Sequence, residues 1–521
     1  MIATVSWHCH SEIHEYSREI RPNIGTFWST VRNVLFRSTL VFDMATARPS
    51  VLLLLTDQER YDVSAPDGPE VKTPAIDGLG RDGMRFDRAY TPISICTSAR
   101  GSLLSGLYPH THGMINNCHE RDAVLENFPT DIPTFGERLA NAGYRTSYVG
   151  KWHLGIDQRP PDFGFDYLGG GDRKHDDMGE DFRAYQRSLG VDPDVVELDE
   201  TIWTEDADPV LIAAKSPVPV EATRAYYIAD RTIDALESAA TADNPFFHRS
   251  DFLGPHHPYV VPEPYASMYD PEAIDPWETF AETDAGKPAV HGKYRQYRGV
   301  EHFDWERWSE AVAKYFGFVS LIDDQISRIL DAVEQLDLED MAVVHTADHG
   351  DFTGSHRQFN KGPLMYEETY HIPLFVRWPD VVEPESTCDE FVRLLDLMPT
   401  FLDMADEPIP DGIHGRSIVP LLRGEVPSDW LETVFAEYHG DEYGFYSQRM
   451  VRSKRYKYVY NVPDTDELYD LDHDPNELHN LIDHPEYRGV RGRLRQRLLD
   501  WMEQTDDTIL AATRRSIGTP A

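Results

Sequence analysis

The 521-residue chain has little lysine, few cysteines and no long apolar run. Only 10 of its 49 basic residues are lysine, and 90 Asp and Glu give a formal net charge of −41. Nucleic acids and anionic membranes bind basic surfaces, so this charge excludes both as expected partners. An acidic, lysine-poor composition favours a halophilic cytoplasm, where salt screens the repulsion between like charges. An acidic protein from a low-salt host is the alternative.

The cysteines and the apolar residues exclude two further classes of protein. Cys9, Cys96, Cys118 and Cys388 are too few and too scattered for a disulfide framework. Their scarcity indicates a reducing, cytoplasmic location. A membrane-spanning helix needs about 18 consecutive, mostly apolar residues, and the sequence contains no such run.

The N-terminal segment differs in character from the rest of the chain. Charged residues interrupt its short apolar patches, whereas a secretory signal has an uninterrupted apolar core. Met44 stands just before the first predicted strand. We therefore expect residues 1–46 to be a poorly ordered extension or the product of an artefactual start.

From Val51 onward, strand-like and helix-like segments alternate, which predicts an α/β fold. The run Val51-Leu52-Leu53-Leu54-Leu55 is typical of a central strand covered on both faces. Later segments alternate like antiparallel strands and end in a helical stretch at 485–505. The predicted domains are therefore a catalytic domain at 47–426 and a smaller α+β domain at 427–521. Other predicted strands lie at 146–150, 245–247, 341–346 and 372–376, and predicted helices at 226–240 and 312–333.

Polar residues follow two of the predicted strands directly. Asp57 and Gln58 come after the first strand, and Asp348 and His349 come after the strand at 341–346. Because ligands bind in the crevice beyond the carboxyl ends of such strands, the two pairs are expected to converge. A lone Asp at such a turn would be a helix N-cap. Two carboxylates, an amide oxygen and an imidazole together favour a divalent-cation site.

A cysteine motif adds a specific signal. Its eleven residues are Cys96-Thr97-Ser98-Ala99-Arg100-Gly101-Ser102-Leu103-Leu104-Ser105-Gly106. They resemble the signature of type I sulfatases, in which the cysteine is oxidised to formylglycine. Other segments follow that family's order and rough spacing: Thr56-Asp57-Gln58, Gly150-Lys151-Trp152-His153, Pro255-His256-His257-Pro258, Asp348-His349 and Asn360-Lys361-Gly362.

The resemblance implies both a fold and an activity. The fold would be alkaline-phosphatase-like, with a mixed, mostly parallel sheet between helices and a smaller C-terminal α+β domain built on an antiparallel sheet. The activity would be hydrolysis of a sulfate ester. The substrate would be a carbohydrate or another small-molecule sulfate ester, and the maturation partner would be a formylglycine-generating enzyme.

The resemblance also implies roles for individual residues. Calcium is the expected ion, and the histidine leaves magnesium or manganese open. The implied metal ligands are Asp57, Gln58, Cys96, Asp348 and His349. The implied catalytic residues are Cys96 as the nucleophile, Arg100 to orient it, Lys151 and His153 to contact nucleophile and sulfate, and His256 and Lys361 to hold sulfate and assist departure of the alcohol.

Two alternative functions fit the same pattern. One is a phosphonate monoester or phosphodiester hydrolase of the same superfamily, and the other is a non-catalytic relative with unmodified Cys96. The Lys151-Trp152-His153 segment favours the sulfatase. Ser98 stands where the commonest modification motif has Pro or Ala. After the motif, we expect Asn117 in a capping or loop role and Cys118 as an inert thiol.

Overall fold

The computed structural model describes residues 48–169, 179–195 and 197–518. The predicted extension at 1–46 lies outside the described residues. The described residues from Pro49 onward form one compact unit. Within the described residues, no helix is both long and apolar enough to cross a membrane.

An eight-stranded sheet occupies the centre of this unit. The described strands are β1 (Val51–Asp57), β2 (Met84–Phe86), β3 (Ala89–Tyr90), β4 (Arg145–Gly150), β5 (Asp166–Tyr167), β6 (Asp199–Trp203), β7 (Leu211–Ser216), β8 (Phe246–Pro255), β9 (Tyr259–Pro262), β10 (Ala342–Ala347), β11 (Leu374–Arg377), β12 (Ser386–Cys388), β13 (Val392–Arg393), β14 (Thr433–Tyr438), β15 (Ser447–Ser453), β16 (Tyr456–Val462) and β17 (Glu467–Asp470). The order in the central sheet is β12-β2-β11-β10-β1-β8-β4-β5. Only β11 runs antiparallel to its neighbours there. The predicted mixed, mostly parallel sheet is confirmed.

Helices cover both faces of the central sheet. The described helices of the chain are α1 (Pro74–Arg81), α2 (Cys96–Ser105), α3 (Pro109–His112), α4 (Phe135–Asn141), α5 (Glu180–Ser188), α6 (Arg224–Ala240), α7 (Val290–Tyr297), α8 (Trp305–Gln335), α9 (Glu367–Tyr370), α10 (Leu397–Met404), α11 (Val419–Leu422), α12 (Arg488–Gln504) and α13 (Leu510–Ile517). Successive side chains of a strand point to opposite faces. Accordingly, Leu53 packs in one core with Leu103 of α2, and Leu54 packs in another with Ile326 of α8.

The C-terminal part contains the predicted antiparallel sheet. Strands β14, β15, β16 and β17 pair in that order, each antiparallel to the next. Helix α12 packs on this sheet, where Leu498 shares a core with Tyr458 of β16. Two smaller sheets, β6-β7-β9 and β3-β13, complete the fold. The boundary between residues 426 and 427 stays a prediction.

The central strand generates a stability prediction. Leu53 is 0% exposed, so Leu53→Ala should lower the free energy of unfolding by about 2–5 kcal/mol through lost burial and a cavity. Leu189 is 45% exposed, and Leu189→Ala is the control, with an expected change within about 0.5 kcal/mol. Urea unfolding followed by circular dichroism measures both changes. Equal losses of unfolding free energy in the two variants would contradict the conclusion that burial of Leu53 in β1 stabilises the fold.

Candidate active site

Two parallel strands end together and bring two acidic residues side by side. Asp57 is the last residue of β1, and Asp348 follows Ala347, which ends β10 and pairs with Thr56. Both carboxylates are fully buried. The backbone N–H of Gln58 donates to Asp348 Oδ1 at 3.1 Å. The convergence expected from the sequence is therefore present at this sheet edge.

Cys96 and His349 complete a cluster of four donor side chains. Cys96 begins α2, and its Sγ lies 3.2 Å from His349 Nε2 and 3.6 Å from Asp57 Oδ1. Donor atoms of Asp57, Cys96, Asp348 and His349 all lie within 4.8 Å of one another. The Nδ1–H of His349 donates to the carbonyl of the next residue at 2.9 Å. Nε2 is therefore the unprotonated nitrogen of the neutral ring, as a metal ligand requires.

The protonation of this cluster suits a divalent cation. Burial, and next the repulsion from Asp57, raise the pKa of Asp348 to about 6. Burial also acts on Asp57, but Lys151 and Arg100 outweigh it and hold the pKa of that carboxyl well below its usual value. Burial lowers the pKa of His349, so its imidazole is neutral. Neutral imidazole and adjacent carboxylates are the donors that such an ion needs, and the residues present fit it.

Arg100 is the cation around which the buried acids gather. Its side chain is 0% exposed. Its guanidinium nitrogens lie 2.9 Å from Asp348, 2.6 Å from Asp251 and 3.3 Å from Asp57. Nη1 also donates to the Lys151 carbonyl at 2.8 Å. One guanidinium thus links the cysteine-bearing helix α2 to residues that follow or belong to β1, β4, β8 and β10.

Two lysines and a histidine flank the cluster. Lys151 Nζ forms an ion pair with Asp57. Lys361 Nζ donates to Gln58 Oε1 at 2.8 Å and to His256 Nε2 at 2.9 Å. The Nδ1–H of His256 donates to the carbonyl of the next residue at 2.6 Å, so Nε2 is an acceptor toward the lysine. Gln58, predicted as a metal ligand, therefore lies beside the cluster with its amide oxygen on Lys361.

A hydrogen bond connects His153 to helix α2, which carries Cys96. Its carbonyl accepts a hydrogen bond from Thr97 Oγ1 at 2.8 Å. Its ring Nε2 lies 2.8 Å from Nδ1 of His119. Its backbone adopts φ 57°, a strained value for a residue other than glycine. All the predicted site residues thus belong to one connected group at the carboxyl edge of the sheet.

Comparison with known proteins assigns the family. The family model for sulfatases matches residues 49–407, and the model for the N-sulphoglucosamine sulphohydrolase C-terminal region matches residues 354–504. The chain belongs to the sulfatase family. That family comprises sulfuric ester hydrolases, as the sequence predicted.

Relatives cover nearly the whole of this sulfatase. It is 31% identical over 465 residues to the uncharacterized sulfatase YidJ of Escherichia coli, covering 88% of each chain. It is 26% identical to the N-acetylglucosamine-6-O-sulfatase of Bacteroides thetaiotaomicron, covering 89% of this chain and 88% of the relative. The phosphonate monoester hydrolase of Silicibacter pomeroyi has the same fold, with a TM-score of 0.75 at 23% identity over 88% of this chain and 96% of that one. The predicted alkaline-phosphatase-like fold is confirmed.

The sulfatase site contains residues that sequence reasoning missed. Asp251 lies in the buried strand β8 and accepts from Arg100, from Arg249 at 2.7 Å and from Tyr148 OH at 2.6 Å. An acidic residue inside a buried strand was the available signal, but the predicted strand ended at residue 247. His119 had no signal in the sequence beyond its residue type.

A second missed contact comes from the C-terminal part of the sulfatase. The two carboxylate oxygens of Asp441 accept from the backbone N–H and from Nδ2 of Asn117, each at 3.0 Å. Asn117 Oδ1 in turn accepts from the backbone N–H of Thr97 at 3.3 Å. Asn117 thus accepts from a backbone N–H in the first turn of α2. Glu442 lies beside Asp441 and pairs with Arg298 at 2.6 Å.

Asp251 generates a prediction about the buried charges. Asp251→Asn leaves Arg100 and Arg249 without a shared carboxylate, so the free energy of unfolding should fall by about 3–5 kcal/mol. Asp243 is an exposed residue before β8, and Asp243→Asn is the matched control, with little expected change. Urea unfolding measures both. If Asp251→Asn unfolds with the same free energy as the wild type, the ion pairs of Asp251 with Arg100 and Arg249 do not stabilise the site.

Proposed function

We propose that this sulfatase hydrolyses a sulfate ester to an alcohol and inorganic sulfate, with Cys96 converted to formylglycine. One observation carries the proposal: Cys96 belongs to a group of side chains that could hold a divalent cation, and the ammonium groups of Lys151 and Lys361 flank that group on Asp57 and Gln58. Such cations suit an anionic ester, because the transition state spreads negative charge over the sulfuryl oxygens.

The unmodified thiol is poorly suited to be the nucleophile. Burial, and next the carboxylate of Asp57, raise the pKa of Cys96 to about 11, so the thiol is protonated at neutral pH. Formylglycine supplies a hydrated aldehyde, whose hydroxyl is the nucleophile. Cys96 is 1% exposed, so a formylglycine-generating enzyme must act on the chain before it has folded.

A divalent cation would be held by Asp57, Asp348, His349 and residue 96, with Gln58 beside them. We propose Ca²⁺, with Mg²⁺ or Mn²⁺ as alternatives. When bound, the ion polarises a sulfate oxygen and lowers the pKa of the nucleophilic hydroxyl. Arg100 keeps the surrounding carboxylates in place and limits their mutual repulsion.

The remaining side chains bind the sulfate and protonate the leaving group. Lys151, Lys361 and His153 would donate to sulfate oxygens. His256 Nε2 lies 2.9 Å from the Lys361 ammonium, and once that nitrogen has taken up a proton from solvent it would donate the proton to the departing alcohol oxygen, while Lys361 keeps its charge. An imidazole serves this purpose because its ordinary pKa is near neutrality.

The substrate class that we propose is a carbohydrate sulfate. The support is the named activity of a relative, the N-acetylglucosamine-6-O-sulfatase of Bacteroides thetaiotaomicron. The net charge of −41 supports a halophilic, cytoplasmic setting as part of the same proposal. A phosphonate or phosphodiester hydrolase is the second candidate, since the fold matches a phosphonate monoester hydrolase with a TM-score of 0.75.

Paired aryl sulfate and aryl phosphonate substrates test the reaction type. We expect the higher kcat/KM on the sulfate, and Cys96→Ala should lower it by about 10⁴-fold or more because it removes the nucleophile. Cys388 is a buried thiol on β12, and Cys388→Ala is the control, with activity retained. A strong preference for the phosphonate would favour the second candidate, and no turnover in native-host protein with an intact thiol would favour a non-catalytic relative.

A further inference from the structure

The ring of His153 is paired with a second imidazole that the proposed reaction has not used. His153 Nε2 and His119 Nδ1 lie 2.8 Å apart. The ring centroids are 4.8 Å apart at an interplanar angle of 32°. On its other side, His119 Nε2 lies 3.3 Å from a carboxylate oxygen of Glu120. The carboxylate of Glu120 therefore contacts the imidazole of His119, and that imidazole in turn contacts the imidazole of His153.

The two rings differ in their access to water. The His119 side chain is 22% exposed, whereas His153 is 1% exposed. His119 is therefore the member of the pair that exchanges protons with solvent. His153 is the member that is held against α2, through the hydrogen bond from Thr97 to its carbonyl.

A shared proton explains the short contact better than a metal ion does. Cys118, His119 and His153 offer donor atoms that all lie within 4.8 Å of one another. Two imidazole nitrogens on one tetrahedral zinc would be about 3.3 Å apart, given zinc–nitrogen bonds of about 2.0–2.1 Å. The observed separation of 2.8 Å is instead that of a hydrogen bond.

We propose that His119 is a positioning residue for His153. Protonated on both ring nitrogens, His119 donates from Nε2 to Glu120 and from Nδ1 to His153 Nε2. The proton of the neutral His153 ring is then fixed on Nδ1, and the pair carries one positive charge near the sulfate position. This inference rests on the sulfate contact proposed above for His153.

The surroundings of His119 favour its charged form. Burial alone disfavours the charge, but interactions with the neighbouring Cys118 and Glu120 outweigh it and raise the pKa of His119 to about 9. Arg298 lowers the pKa of the Glu442 carboxyl, and His119 adds a smaller contribution to that shift. Glu442 belongs to the loop after β14. The titratable groups that face His119 are thus Cys118, Glu120, His153 and Glu442.

The contact between His119 and His153 makes substrate binding depend on pH. Below its raised pKa, His119 is charged and donates to His153. As pH rises through about 9, the charge is lost and the proton of His153 is free to move between its two nitrogens. Substrate binding should therefore weaken on the alkaline side, with KM rising before kcat falls.

Kinetics of two variants test the proposal. His119→Ala should lower kcat/KM by about 100-fold, because misplacing a contact group has costs of that size. His119→Gln should lie between Ala and wild type, since its amide donates to His153 but carries no charge, and it should lack the alkaline rise in KM. Added imidazole should restore activity to His119→Ala. His302 is exposed in the loop before α8, and His302→Ala is the control, with kinetics unchanged.

A second readout is independent of turnover. Nitrogen NMR of the ¹⁵N-histidine-labelled protein reports which ring nitrogen of His153 carries the proton, and His153→Gln assigns the signal. We expect Nδ1 in the wild type and a mixture of tautomers in His119→Ala. Three results would overturn the proposal. They are a His153 proton on Nε2 in the wild type, an unchanged tautomer and pH profile in His119→Ala, and one equivalent of zinc bound by Cys118 and the two rings. If the wild type cleaves no sulfate ester, the proposed function fails while the NMR result still decides the pairing.

Discussion

The site depends on one buried guanidinium. Arg100 sits among the carboxylates of Asp57, Asp251 and Asp348, and none of these side chains is exposed to solvent. Moving charges out of water costs several kcal/mol for each ion unless partners and hydrogen bonds compensate. Here the compensation is mutual, so the sheet edge and α2 must come together as one assembly. Cys96 is fixed in the same assembly because it lies one helical turn before Arg100.

This network also sets what can be added to the site. Lys151 and next Arg100 favour the ionised form of Asp57 against the effect of burial, while burial and next Asp57 itself favour the protonated form of Asp348. A cation placed between the two carboxylates would remove that conflict, since it attracts both. The lysines and His256 lie on the flank of the cluster, where a tetrahedral anion would meet several donors. The positions of these side chains and their charges therefore favour the same two ligands, a cation between the carboxylates and a tetrahedral anion beside it.

The sequence was sufficient to predict the parts that depend on local pattern. The apolar run of β1 predicted a covered central strand, and Asp57 and Asp348 could be placed together because neighbouring parallel strands end at the same edge. Asp251, His119 and Asp441 could not be placed in this way. Asp251 reaches Arg100 only through the pairing of β8 with β1, and Asp441 reaches Asn117 across 324 residues. Contacts set by strand register and long-range packing leave no periodic signal in the chain.

Residue 96 is proposed to function as formylglycine within this buried cluster. Mass spectrometry of the peptide that carries residue 96, from protein purified from its native host, tests it most directly. We expect the mass of an aldehyde or of its hydrate. A peptide that retains the thiol mass in enzyme that is fully active on a sulfate ester would contradict it.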